Sequence, residues 1–446
     1  MPPKPLIHQA QRELFQVELA QLADAAHPLV KLGRQIDWAV FTARLAPTYA
    51  ATNGAPGVNT RLLVALHDLK YQHALSDEAV VQHWVENPSW QHFSGEQFFQ
   101  HERPTDPSSM TRWRQRLGEA GAEAMLKETI QTGLRMKAIT PTQLKRVNVD
   151  TTVQTKAVRF PTDARPYNRA RERLVKAARE RGIKIKQSYA RVGRRLLLQQ
   201  SRCAHARQMP RARACTRKLR TNPARVMREI LRQQAAPKGV LKQLLTTAQR
   251  IHAWQRTDQN KVYSVHEPGI CCLAKGKAGK KYEFGNKASV ATTGKGGWLL
   301  GAPSLPDNPS DGHTLAQQLA QVRRLLGEKL RKEPDAHVDM GYRGHHHAGP
   351  ATVHVDQRRR GATPKTLWRW MKRRAAVEPT IGHLKSEHRL DRNRLKGATG
   401  DAINAILSAA AMNFQKLQGF FWRFWLRLLR QLFPPGSPIP FVTLTT

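Results

Sequence analysis

The chain has 446 residues, enough for two or three domains that each bury a core of their own. Its 74 Lys+Arg against 33 Asp+Glu leave a formal charge of +41, with an isoelectric point near 11.1. A field of that sign attracts polyanions and argues against a soluble metabolic role; nucleic acid is the default partner, and ribosomal or chromatin-like packing is the plainer alternative.

MPPKPLIHQAQRELFQ has no long apolar core, so no signal peptide is expected. From about Ile7 to Lys137 apolar residues recur at three- and four-residue steps, as in Leu14, Val17, Leu19 and Leu22 and again in Leu62, Leu63, Leu66 and Leu69. That spacing predicts a helical domain over 1–140. Ser76-Asp-Glu supplies one helix start. Ser108 or Ser109 is expected to cap a second helix, Met110 to Leu117, which carries Arg112, Arg114 and Arg116 and is followed by Gly118. A short basic helix of this kind either enters a DNA groove or is a solvated face.

The pattern changes at Lys145. Val147-Asn-Val-Asp150 alternates as a strand does and ends in an aspartate. An arginine-heavy helical block follows, with 25 basic and three acidic residues from Arg165 to Arg250. Leu174, Val192, Leu196, Leu197 and Leu198 recur within it at helical steps, so it reads as a folded insertion over about 165–255. Its Arg194 and Arg195 are candidate DNA contacts. Strands are expected to resume at Lys261–Val265 and at Tyr282–Val290, joined through CLAKGKAGKK. That linker lacks the Gly-Lys-Ser/Thr ending of a phosphate-binding loop and reads as a hairpin turn. Cys203, Cys215, Cys271 and Cys272 form no CxxC pair, which suits reduced thiols of a cytoplasmic protein.

An amphipathic helix is predicted from Leu315 to Leu330, with Asp311 or Thr314 as its cap. Ala336-His-Val-Asp339 is a second short strand ending in an aspartate, and Met-Gly-Tyr-Arg343-Gly comes next. His345, His346 and His347 are consecutive and cannot all face one ion, so a polar loop is expected. Only 38 residues separate Asp339 from Glu378, room for one strand, Thr352–Val355, and a helix from about Lys365. Arg374, Glu378 and Lys385 stand at i, i+4 and i+11, within roughly 40° of one another on a continuous helix. Alone this is an i, i+4 ion pair worth a few tenths of a kcal/mol. With Asp150 and Asp339 it outlines a cage of hard oxygen ligands for Mg²⁺. Pro379 predicts a kink or helix join between Arg374 and Glu378. The tail from Gly419 reads as an amphipathic helix with Arg423, Arg427 and Arg430 on one stripe, too charged to span a bilayer, so no membrane partner is expected.

VNVDTT, then VDMGYRG, then Arg374, Glu378 and Lys385 at their spacing resemble the DDE transposases of bacterial insertion sequences, in the branch whose third block reads Tyr, Arg, Glu, Lys. Met371 stands at the tyrosine position, with Trp370 or Trp368 as stand-ins. The resemblance implies a ribonuclease-H-like α/β domain over 141–418, interrupted by the basic helical insertion, with a C-terminal helix and tail over 419–446. It implies catalysis and metal binding by Asp150, Asp339 and Glu378, with Mg²⁺ or Mn²⁺ as cofactor. It further implies DNA contacts by Arg374, Lys385 and Arg343, terminal inverted repeats and target DNA as partners, action as a dimer, and a location at the bacterial nucleoid. A transposase-derived DNA-binding protein that no longer cuts is the alternative.

Overall fold

A computed structural model describes residues 1–3, 17–49, 56–255, 258, 261–274, 282–327, 333–356 and 364–432, with 422–432 described by backbone alone. Among the described residues, seven helices precede the first strand. They are α1 (Leu19–Leu22), α2 (Pro28–Gln35), α3 (Ala39–Leu45), α4 (Thr60–Gln72), α5 (Asp77–Glu86), α6 (Pro88–Ser94) and α7 (Pro107–Arg135). Their starts obey local chemistry: the side chains of Asn59, Ser76 and Asn87 accept backbone N–H groups at the first turns of α4, α5 and α6. The helix expected to start at Ser108 or Ser109 is instead capped by Asp106, whose carboxylate accepts the Ser108 N–H. Pro107 occupies the first helical position, where its fixed φ is already helical and its missing N–H costs no bond. Gly118, at φ 60° and ψ −172°, breaks α7 where the sequence ends the short basic helix.

Strand β1 (Arg146–Thr155) is the centre of a mixed sheet. Along one side β3 (Tyr282–Thr293) runs antiparallel, from Val147 opposite Thr293 to Thr155 opposite Gly285. A Cβ at position 285 would lie 2.0 Å from the Gln154 carbonyl oxygen, so only glycine permits this approach of the two backbones. β2 (Cys271–Ala274) pairs with the first part of β3, and β4 (Leu299–Gly301) and β5 (Ser304–Leu305) pair with its later part. On the other side of β1 lie β6 (Asp335–Val338) and β7 (Val353–Val355), both parallel to it, giving the order β2-β3-β1-β6-β7. The glycine-lysine linker between β2 and β3 falls at 275–281, outside the described residues.

Lys261–Val265 is not a strand. Val262 and Val265 are both buried in one helical cluster, and residues three apart cannot share a side in an alternating strand. That cluster belongs to four helices between β1 and β2: α8 (Ala164–Arg179), α9 (Ala190–His205), α10 (Met209–Gln233) and α11 (Gly239–Ala253). It holds Leu174, Leu219, Val226, Ile230, Leu241 and Ile251 and is separate from the core under the sheet.

Helix α12 (Asp311–Leu326) crosses from β5 to β6 and ends before Gly327, so the part of the helix expected at 328–330 lies outside the described residues. After β7 come α13 (Lys365–Arg374), α14 (Val377–Ser386) and α15 (Gly397–Leu432). α15 continues through residue 418, where the sequence suggested a boundary, and packs on α4, α7 and β4. Its Asn413 donates to Thr129 Oγ1 of α7 and to the Leu299 carbonyl of β4, and its Asn404 donates to Gln154 of β1 and accepts from the Tyr71 hydroxyl. One apolar core therefore runs from Leu29 through the sheet to Leu417. The arginine stripe expected beyond Gly419 lies outside the described side chains.

Candidate active site

Asp150 is the fifth residue of β1, and its Oδ1 accepts the Thr151 N–H at 2.7 Å. Asp339 comes directly after the last residue of β6 and holds the turn Met340–Tyr342, its Oδ1 accepting the Gly341 N–H at 3.0 Å. The parallel register pairs Asn148 with His337. Two residues further along each chain stand Asp150 and Asp339, so the two aspartates leave adjacent strands at one level. Tyr342 is fully buried beneath them. Burial, and then the charges of Asp150, Asp311 and Asp339, push its hydroxyl far above the ordinary tyrosine range. A neutral phenol at the foot of the carboxylates is the result.

Asp311 belongs to this group, although the sequence marked it as a cap. The cap position of α12 is Ser310, which makes no side-chain bond to the helix, and Asp311 is the first helical residue. Its Oδ1 accepts from Thr151 Oγ1 at 2.8 Å and from Lys287 Nζ at 3.0 Å. Thr314 does not cap either; its hydroxyl donates to the Asp311 carbonyl. A Cβ on Gly341 would lie 3.1 Å from both Asp311 Oδ2 and Asp339 Oδ1, so the two carboxylates flank one point. An aspartate just ahead of a helical pattern is most simply a cap, and nothing local distinguishes it from one that crosses to a strand.

Glu378 arrives from the other direction. The single helix face drawn through Arg374, Glu378 and Lys385 is divided, because α13 ends at Arg374 and α14 begins at Val377. Pro379 sits in the first turn of α14, where its missing N–H breaks no helical bond, so the join falls where the proline predicts. Arg374, 12% exposed, survives as the link: its Nη1 is 3.7 Å from Asp150 Oδ2 and its Nη2 is 4.0 Å from Glu378 Oε1. Both are charge contacts longer than hydrogen bonds, and the buried Nε and Nη1 of Arg374 make none. The Glu378 side chain is 68% exposed. Lys385 turns to a different carboxylate, Glu283 of β3, at 3.8 Å. It lies roughly 10 Å along α14 from Glu378.

Met371 is buried. Trp370 is clamped between the Arg146 and Arg373 guanidinium groups, 4.6 and 4.8 Å from its ring. Arg146 opens β1, so this stack lies four residues before Asp150 along the strand. Trp368 carries Lys372 over its ring. His346 stacks on His313, 5.5 Å away, beside the turn after Asp339.

Arg343 is exposed next to the site, and Arg194 and Arg195 are exposed on α9. Arg112 and Arg116 are exposed on α7, whereas Arg114 is not available to a partner. Residues 112 and 116 are about 40° apart on a helix, and 114 is on the opposite side. Arg114 is 5% exposed and grips Asp77 with both amino groups, at 2.8 and 2.5 Å.

Residues 17–116 match the family model described as a transposase domain (DUF772), and residues 344–418 match the one described as a transposase DDE domain. The second match includes Glu378 and leaves Asp150 and Asp339 outside it. The chain is also similar to an uncharacterized protein of Rhizobium meliloti, ORF8 in the nfe locus. The two are 46% identical over 196 residues, 44% of this chain and 94% of that protein. No solved structure matches.

Proposed function

The chain belongs to the insertion-sequence DDE transposases, and we propose that it cuts DNA at the ends of its element and joins the cut strand to target DNA, with Asp150, Asp339 and Glu378 as the carboxylates of the reaction. The observation that carries this reading is the pairing of β1 with β6, which aligns the two aspartates, together with the one guanidinium that reaches both Asp150 and Glu378. Arg374, Glu378 and Lys385 correspond to the family's third block, with Met371 at its tyrosine. The sheet supports a ribonuclease-H-like reading: β3 returns antiparallel beside β1, β4 and β5 return beside β3, and β6 and β7 come after them in parallel. In that frame the helices of 164–253 are an insertion after the first strand, and the helices before residue 140 bind DNA.

Hard carboxylate oxygens on adjacent strands suit Mg²⁺, with Mn²⁺ as a substitute. Among the described residues no three Asp, Glu, His or Cys side chains gather closely enough to enclose one ion. Glu378, exposed and leaning on Arg374, has to turn from the guanidinium toward the aspartates to complete the set. When bound, the metal supplies the acidity that makes water or a 3′-hydroxyl a nucleophile and offsets charge on the phosphate. Asp150 and Asp339 are held for that task by the Thr151 and Gly341 N–H groups. Arg374, released from Glu378, presents N–H donors to a phosphate oxygen. Arg343 and Lys385 hold the strand on either side. The partners are duplex DNA at the inverted repeats and the target, engaged by a dimer at the bacterial nucleoid.

Labelled end DNA tests the reading. In Mg²⁺ the wild-type protein cleaves it, while Asp150→Asn, Asp339→Asn and Glu378→Gln bind it normally and cleave on the order of a thousandfold more slowly. Cleavage by Glu378→Gln at the wild-type rate would leave Glu378 as a salt-bridge partner only. The rival, a transposase-derived protein that binds DNA without cutting, would then be preferred.

A further inference from the structure

Just past the end of β1, at Lys156, a cleft of about 890 Å³ opens between the helices of 164–253 and the segment after α14. It lies six residues past Asp150, roughly 20 Å from the carboxylates along an extended strand. Arg159, Arg165, Arg392, Arg394 and Lys396 line it, and all five are exposed. The two carboxylates in its wall are already committed. Glu267 lies 3.3 Å from Lys156 Nζ and accepts the Gly397 N–H, and Glu172 is paired with Arg169 and Arg171. Among the described residues Arg159, Arg392, Arg394 and Lys396 form no ion pair. The cleft therefore presents cations to whatever enters.

Aromatic surface borders the same opening. Tyr263 lines the cleft, Phe284 packs on it, and Phe160 meets Phe284 edge-on at 5.2 Å. Phe160 is 62% exposed, flanked in sequence by two lining residues, Arg159 and Pro161. Phe160 thus offers a ring face beside guanidinium groups that form no ion pair, the combination on which an unpaired base can stack while its phosphate meets a cation. The bases of a duplex are stacked on one another and offer no free face, and a cleft of this volume is the size of a small-ligand site. An acidic peptide would satisfy the cations and leave the ring bare.

We propose that this cleft binds a short unpaired stretch of a DNA strand, with bases on Phe160 and phosphates on Arg392, Arg394 and their neighbours. The proposal rests on the transposase reading for its ligand, and its test is independent of catalysis.

Fluorescence anisotropy on the full chain in EDTA compares a labelled thymine-rich single strand with a blunt duplex. Phe160→Ala should weaken single-strand binding about tenfold, change duplex binding less than about twofold, and leave the salt dependence of single-strand binding as it was. Arg392→Ala combined with Arg394→Ala should flatten that salt dependence by about 1.4 in logarithmic slope, about 0.7 for each phosphate no longer neutralised. Polyglutamate should compete poorly with the single strand. Any other pattern overturns the proposal: unchanged single-strand affinity in Phe160→Ala, a parallel loss on duplex, an unaltered slope in the arginine variant, or displacement by polyglutamate as effective as by DNA. Cleavage is absent from this assay, so a failure here leaves the end-cutting reading standing, and a failure of cutting leaves this one standing.

Discussion

Arg114 sits midway between two exposed arginines, yet it and Lys70 surround Asp77 inside the helical region, and His67 accepts a bond from it. Burial would raise Asp77, but hydrogen bonds and charge from Arg114 and Lys70 outweigh it and hold the carboxyl well below its usual range. His67 responds the other way: burial first, then the charges of Arg114 and Lys70, lower its pKa to about 3. It is neutral in the fold, with Nδ1 donating to the Leu63 carbonyl. An unfolded chain takes up this proton below about pH 6.5 and the folded one only near 3, so acid favours unfolding throughout that window. At pH 5 the loss from His67 is about 2 kcal/mol. His337, lowered to about 4 chiefly by burial, adds to the loss in the same direction. Asp68 and Asp401, both raised by burial, act in the opposite sense, so His67 is isolated by comparison: in urea unfolding the stability at pH 5 relative to pH 7 should improve in His67→Gln over the wild type, and an identical pH dependence would remove His67 as a contributor. Lys385 requires a two-residue test because it faces Glu283. Lys385→Ala should lower both stability and end-DNA affinity, and adding Glu283→Gln should recover the stability alone. Recovery of both would make Lys385 a structural cation rather than a phosphate contact.

The elements most legible in the sequence are those whose pattern and chemistry agree. The strand ending in Asp339, the break near Pro379 and the glycine that interrupts α7 stand where propensity and backbone geometry put them, whereas β1, expected to end at Asp150, runs on to Thr155 because β3 pairs with it that far. Lys261–Val265 misleads because its valines and tyrosine look like a strand, whereas long-range packing against helices decides their conformation. Asp311 is missed for a related reason: its partners, Thr151 and Lys287, are 160 and 24 residues away. Arg374 and Glu378 remain in reach of each other while Lys385 faces Glu283 instead, since a helix join resets the angle between the segments on its two sides. The basic helices keep Leu174 and Leu196 inward, while Val192 and Leu198, expected inward with them, are exposed; Arg191, Arg194 and Arg195 on α9 and Arg211, Arg213 and Arg217 on α10 are directed outward. Replacing these six by Ala should weaken binding to any duplex and reduce the salt slope by about 0.9 for each phosphate no longer neutralised. A slope equal to that of the wild type would mean that these helices do not lie on the DNA.

At the scale of the whole molecule, the division suggested by the chain order differs from the division of its cores. The helices before residue 140 share a core with the sheet, because α15 returns from the far end of the chain to lie between them. Tyr71, Gln154 and Asn404 form one hydrogen-bonded line across helix, strand and helix, tying the helical region to the strand that carries Asp150. The helices of 164–253, in contrast, have their own cluster and join the sheet through the end of β1 and the segment leading to β2. Units with separate cores open separately, and units with one core open together. Leu219 is fully buried in the cluster of the basic helices, and Ile406 in the core under the sheet. Either Leu219→Ala or Ile406→Ala should cost about 2–5 kcal/mol. Hydrogen exchange read by mass spectrometry should then show, for Leu219→Ala, faster exchange in α8, α10 and α11 with β1 and α15 still protected. For Ile406→Ala it should show α4, α7 and β1 losing protection together. Uniform loss in both variants would mean one cooperative unit, and the arginine-rich helices could not move on the sheet without unfolding it.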